Sequence, residues 1–205
     1  MSDIFQLLEQ RVSAHQFAGS KLSDTELRAM VKAATHSPTA YNLQNWHFTA
    51  VCSEAMKQRL HEAAFLQSKI LQAAAVIVIS GDLQGHRHLE DRLRPSVEAG
   101  LLPEQVALVW QETAHTSLHA NPAAQRDEAI RSASLAGMSL MLAAQHMGWA
   151  SCPMSGFDVD AVRHVCNLPI NYLPVLLVAL GKPAERDAPQ RQKIRAPLDS
   201  VLTKI

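Results

Sequence analysis

The chain has 205 residues, 47% of them hydrophobic, and its 19 basic and 19 acidic side chains leave no net charge. That length suits one domain, residues 1–205, with a sizeable core. The neutral balance argues against a nucleic-acid or anionic-membrane partner, so any positive charge that matters must be local.

Ile4, Leu7, Leu8 and Arg11 fit a first helix with a narrow apolar face, ending near residues 11–15. Ser23, with Glu26 three positions on, is a capping box that opens a second helix over 25–35. Leu27, Met30, Val31 and Ala34 are its buried stripe. Ser37-Pro38 stops it, because proline cannot continue a helix and disfavours the α region for the residue before it. Thr39, Tyr41, Asn42 and Gln44 follow as a polar turn, and a strand begins at Trp46. A turn rich in hydroxyl and carboxamide groups between a helix end and a strand start can hold a polar ligand. It can equally be an ordinary loop bonded to its own backbone.

Ser53 caps a helix over 54–63, and a shorter helical piece over 66–73 carries Lys69. The β-branched run 76–79 reads as a strand buried on both faces. Residues 82–120 are polar at first, then helical from Leu101-Leu102-Pro103, with Val106, Val109, Trp110 and Thr113 on one side. Pro122 opens the longest helix, which ends near 147–148. Its second half is small or apolar nearly all round, so it serves the core and also a dimer interface. A strand over 149–152, a turn over 153–156 and a helix over 159–166 capped by Asp158 come next. The last strand, 173–180, is closed by Gly181-Lys182-Pro183. A polar, extended tail carries Lys193 and Arg195. Many helices with about four strands far apart in sequence predict an α+β fold, with a small mixed or antiparallel sheet of four or five strands surrounded by helices.

Cys52, Cys152 and Cys166 form no C-x-x-C pair, which argues against a disulfide framework or zinc site and for reduced thiols in the cytoplasm. The N-terminus has no basic-then-apolar leader pattern, and the apolar run 175–180 is far too short to span a bilayer. Neither a dinucleotide fingerprint, a P-loop nor a nucleophile elbow is present. Two histidine groups, His86-Arg87-His88 with Glu90 and Asp91, and His115 with His119 at i,i+4 on one helix face, could suggest zinc ligation in a metal hydrolase. No third ligand stands beside the i,i+4 pair in the sequence, so no metal is assigned. Arg11, Lys69, Lys193 and Arg195 are cations with no evident salt-bridge role.

Four separated motifs carry a resemblance. Arg11-Val12-Ser13-Ala14-His15 is similar to R-x-S-x-[KR]. The stretch from Ser37 to Trp46 is similar to A-P-S-x-x-N-x-Q-P-W. Pro153-Met154-Ser155-Gly156-Phe157-Asp158 is similar to P-x-x-G-F-D, and Lys193-Ile194-Arg195-Ala196-Pro197 to K-x-R-x-P. In that order they resemble the FMN-dependent nitroreductase family over nearly the whole chain. The resemblance implies an intertwined homodimer in which FMN is held at the interface. NAD(P)H would reduce the flavin, and an electron-poor acceptor such as a nitroaromatic or quinone would then take the same place in ping-pong fashion.

The resemblance also implies roles. Arg11, Ser13, Lys193 and Arg195 would bind the phosphate, with the tail reaching it across the dimer. Lys69 would face the ring near N1 and O2, and Pro153 would cover one ring face. The backbone N–H groups of Ser155 and Gly156 would face N5 and O4. Thr39 and Asn42 would reach the ribityl chain from the second subunit, and Pro38 beside them would also be cofactor-binding. No side chain is assigned as a catalytic acid, because the chemistry belongs to the flavin. Three positions depart from the pattern: His15 for Lys or Arg, Asn45 for proline, and Ser155 for an acidic residue. Histidine at position 15 predicts flavin affinity or potential that varies near pH 6–7. The alternative is a chain that holds FMN without turning over.

Overall fold

The computed structural model describes residues 3–184 and 192–205. Helix α1 (Ile4–Gln10) is capped by the Asp3 side chain, and none of its residues is buried. Strand β1 (Phe17–Ala18) follows. Helix α2 (Asp24–Ala34) has the predicted capping box, with Ser23 and Glu26 bonding reciprocally. A 3-10 turn (Ala40–Asn42) leads to β2 (Trp46–Val51). Helix α3 (Glu54–Ala63) starts at the Ser53 cap, and α4 (Lys69–Gln72) is a single turn before β3 (Ala75–Asp82). Helices α5 (Leu89–Glu98), α6 (Glu104–Leu118) and α7 (Pro122–His146) precede β4 (Ala150–Met154). Helix α8 (Val159–Val165), capped by Asp158, and β5 (Tyr172–Pro183) complete the frame.

The described strands form one five-stranded sheet in the order β1-β5-β3-β2, with β4 also on β5. Every strand pairing in it is antiparallel. The strand β5 pairs with three others, so the last strand in the sequence is the hub of the sheet. Alternation decides the two faces. Val76, Val78, Leu177 and Ala179 join one buried cluster, on the side of α3 and α8. Ala75, Ile77, Ile79, Val178 and Leu180 join the other, on the side of α2 and α7. All of β3 is buried, as its β-branched run predicts. A smaller cluster of Leu43, Leu89, Leu93, Ala107, Ala114 and Leu118 packs α5 and α6 onto the turn before β2.

Helix α7 lies very close to the sheet. A Cβ on Gly137 would meet Leu176 Cδ2 at 2.8 Å, and one on Gly81 would meet the Ala129 backbone oxygen at 2.5 Å. Small residues on the facing side permit that approach: Ala129, Ser132, Ala133, Ala136 and Gly137 are all buried. The rest of the helix is not wrapped, and Leu135 is 42% exposed.

Several boundaries differ from expectation for physical reasons. Pro153 lies within β4 opposite Val178, not in a turn. Proline is tolerated there because the other edge of β4 carries only an isolated bridge, Ser13 to Ser151. The helical piece over 66–73 shrinks to α4, since Phe65 and Leu66 take φ of 53° and 59°. The polar stretch after Asp82 contains α5, with Pro95 inside it. On α6 the buried residues are Ala107, Ala114 and Leu118, while Val106 and Val109 face outward. Strand β5 continues through Gly181-Lys182-Pro183 to pair with β1. Of the predicted tail, 185–191 lies outside the described residues.

Candidate functional site

Arg11 caps the end of α1 with extended backbone, and its N–H donates to the Leu7 carbonyl. The next residues run beside β4: Ser13 bridges Ser151, and the Ala14 N–H donates to the Ser151 carbonyl at 2.9 Å. Gln192 then brings the distant segment home. Its Nε2 donates to the carbonyls of Leu8 at 2.5 Å and Arg11 at 3.0 Å, while Arg195 Nη2 donates to its Oε1 at 3.1 Å. The result is a cavity of about 290 Å³ lined by Arg11, Val12, Ser13 and His15 from one region and Gln192, Lys193 and Arg195 from the other. These residues meet within one chain, whereas the resemblance implied a reach across two. Gln192 carried no sequence signal, because a glutamine in a polar tail is unremarkable until its two acceptors are in place.

The electrostatics of this cavity are unbalanced. Burial, and then the neighbouring charge of Arg195, hold the Arg11 pKa below its ordinary value, with Cys152 acting weakly the other way. Arg11 Nη1 is buried and has no hydrogen-bond partner among the described residues. An orphaned buried donor costs about 1–3 kcal/mol, and more when charged. Two repelling guanidinium groups, Lys193 and a free donor suit an anion with several acceptor oxygens. A neighbouring cavity of about 260 Å³ shares Val12 but is lined by Gln10, Ala14, Gln145, Trp149 and Ala150, among others, with no charged side chain among the described residues. It offers an anion nothing comparable.

From Ser151 the strand β4 leads through Pro153 to the exposed residues Ser155 and Gly156. At about 3.3 Å per residue, Ser151 and Ser155 lie roughly 13 Å apart. Lys69 opens α4, and Gln67, two residues before it, donates from Nε2 to the Gly156 carbonyl at 2.7 Å. Lys69, Ser155 and Gly156 therefore belong to one neighbourhood, with Pro153 just before it on the same strand. Phe65 and Leu66 beside it are 67% and 66% exposed, an apolar surface the sequence reading did not single out.

Pro38, Thr39 and Asn42 do not line the Arg11 cavity. Thr39 Oγ1 accepts from the Gln44 N–H at 3.0 Å, and Leu43 is buried with α5 and α6. Tyr41, Asn42 and Gln44 have φ of 53°, 55° and 47°, so this turn is tightly specified. Asn45 is buried, its carbonyl accepting from the Asp82 N–H at 2.6 Å.

His86, from the first of the two histidine groups in the sequence, is brought beside the second. It is buried, and its ring centroid is 6.5 Å from both His115 and His119, which stack at 4.4 Å. The i,i+4 pair thus has a third histidine beside it after all. Among the described residues, however, no group of three His, Cys, Asp or Glu side chains is arranged to hold a metal ion. No helix among them is long and apolar enough to cross a membrane.

Comparison with known proteins finds a family model and several relatives. A family model described as the nitroreductase family matches residues 8–182. A Bacillus subtilis protein named as an NAD(P)H nitroreductase, MhqN, is 32% identical over 184 residues, covering 89% of each chain. A Thermus thermophilus protein named NADH dehydrogenase is 32% identical, covering 94% of this chain and 91% of its own. A crystal structure from Exiguobacterium sibiricum, described as a nitroreductase in complex with FMN, superposes with a TM-score of 0.89. It is 26% identical and covers 100% of this chain and 98% of the other.

Proposed function

The chain belongs to the nitroreductase family, and from that premise we propose that it is a cytoplasmic, homodimeric FMN-dependent oxidoreductase that uses NAD(P)H to reduce an electron-poor acceptor such as a nitroaromatic or quinone. One observation carries the cofactor: Arg11 Nη1 is buried, with no partner among the described residues, in a cavity that Lys193 and Arg195 also line. A terminal phosphate would take that donor and relieve the repulsion between the two arginines. The chemistry that FMN supplies when bound is two-electron: hydride in from NAD(P)H, then hydride out to the acceptor, in ping-pong order.

Each group of residues then has a task. Arg11, Ser13, Lys193 and Arg195 hold the phosphate, each charge-assisted hydrogen bond contributing about 1.5–3 kcal/mol. Pro153 would cover one ring face of bound FMN. Lys69, His15 and the backbone N–H groups of Ser155 and Gly156 place donors where reduction leaves negative charge, and preorganised donors are most effective there. Thr39 and Asn42, with Pro38, complete the site from a second copy. Exposed apolar side chains on α1 (Ile4, Phe5), α6 (Leu108, Val109) and α7 (Leu135) favour burial in such a dimer.

The test is direct. Purified protein should be yellow, or become so with added FMN, and NADH or NADPH should bleach it without oxygen. Light scattering should give twice the chain mass. A colourless protein that takes up no FMN would remove this reading.

A further inference from the structure

Ser155 and Gly156 are exposed, yet the loop carrying them is tied down twice from one short stretch. Gln67 Nε2 donates to the Gly156 carbonyl at 2.7 Å across 89 positions of sequence. The Asp158 N–H donates to the Ala63 carbonyl at 2.9 Å. Between the two ties, Phe157 is buried in the same cluster as Leu60, Ala63 and Ala64. The stretch that provides both ties reverses direction through Phe65 and Leu66, at φ of 53° and 59°. Left-handed backbone at two bulky residues costs about 1–2 kcal/mol each. The reversal is held by Leu66 N–H to His61 O at 2.9 Å and Gln67 N–H to Ala64 O at 3.3 Å. It is this strained reversal that delivers the Gln67 carboxamide to Gly156.

We infer that Gln67 is a positioning residue, which fixes the aim of the Ser155 and Gly156 N–H groups at the flavin ring. The inference rests on the function proposed above. Glycine at 156 gives this backbone its greatest freedom, and anchoring the carbonyl on one side of its Cα removes much of that freedom. Donors held in place stabilise charge that appears only on reduction, without first reorganising. Gln67 therefore matters more to the reduced ring than to the oxidised one. Its loss slows flavin reduction while leaving the affinity for oxidised FMN nearly unchanged.

Gln67→Met keeps the side-chain length and removes the N–H donor, and Gln67→Lys restores a donor of similar reach. In the flavin-free chain, hydrogen exchange at the Asp158 amide, which donates to the Ala63 carbonyl, should be about fivefold faster in Gln67→Met, the scale of one lost hydrogen bond. Gln67→Lys should return to the wild-type rate. In the FMN-loaded protein, Gln67→Met should bind FMN within about twofold of wild type, while anaerobic reduction by NADH slows by about fivefold. Unchanged exchange, or faster exchange with reduction unchanged, overturns the positioning role. So does a failure of Gln67→Lys to recover the protection. A wild-type chain that takes up no FMN overturns the flavin reading itself, which the variants do not affect.

Discussion

Arg92 Nη2 lies 3.6 Å from Asp82 Oδ2 at the end of β3, with the carboxylate almost wholly buried and the guanidinium only partly so. The other oxygen, Asp82 Oδ1, accepts from Asn171 Nδ2 at 2.8 Å and from the Gln84 N–H at 2.9 Å. Arg92 also donates to the Leu43 carbonyl. One carboxylate thus joins the end of β3, helix α5, the turn before β2 and the start of β5. Asp82→Ala leaves Arg92 Nη2 and Asn171 Nδ2 without their acceptor. It should cost about 3 kcal/mol in chemical denaturation, the scale for breaking a buried pair from one side. Asp82→Asn, which keeps the shape and one acceptor oxygen, should cost less.

Arg11 gives a prediction in which stability and binding move in opposite directions. Arg11→Met removes a buried unpartnered donor and its repulsion with Arg195. The flavin-free variant should therefore melt higher than wild type. Its FMN affinity should fall by about tenfold to a hundredfold, the equivalent of one charge-assisted hydrogen bond. Fluorescence titration with FMN, beside calorimetry of the flavin-free protein, reads both changes. Rising salt should narrow the difference in affinity.

His86 makes stability depend on pH. Burial, with the charge of Arg87 and the nearby His115 and His119, holds its pKa below the usual 6.5, against a weaker pull from Asp82. The unfolded chain then binds a proton more readily than the folded one. The contribution to stability is complete above about pH 6.5 and is lost as pH falls below it. One such group contributes a slope of at most about 1.4 kcal/mol per pH unit. Urea denaturation between pH 7.5 and 5 should show the decline in wild type, and a flatter profile in His86→Phe.

The thiols should separate by reactivity. Burial pushes the Cys166 pKa up to about 11, opposed weakly by Arg59, and Cys152 is buried in β4. Cys52 is exposed. At pH 8 the Cys166 thiolate is about one part in a thousand, and the thiolate is the reactive form. Brief treatment with iodoacetamide should modify Cys52 first, with Cys166 following only on unfolding. Peptide mass spectrometry reads the order.

Local chemistry was legible in the sequence; the choice among neighbours was not. The capping box at Ser23, the caps at Ser53 and Asp158, Pro122 at a helix start and the run 76–79 all fall where expected, because each is decided by residues a few positions apart. Helix α6 has apolar residues on two faces, and only its packing against α5 shows that Ala107, Ala114 and Leu118 are the inner ones. The reversal at Phe65 and Leu66 runs against their own preference, so no local rule predicts it. Arg11, Ser13, Lys193 and Arg195 could be singled out from motifs, yet only the fold shows Gln192 joining the two groups. The histidine beside His115 and His119 lies 29 positions before the pair, beyond any periodic pattern.

The position of β5 in the sheet also bears on synthesis. As the ribosome releases this polypeptide, β2 and β3 emerge long before the strand that lies between β3 and β4. Until Tyr172–Pro183 arrives, one edge of β3 has no partner and both core clusters lack a wall. Folding must therefore wait for most of translation, and the cavity at Arg11, which needs residues 192–195, can close only later still. A stalled or truncated product lacking this strand would expose apolar β-structure, which makes it a substrate for chaperones and proteases.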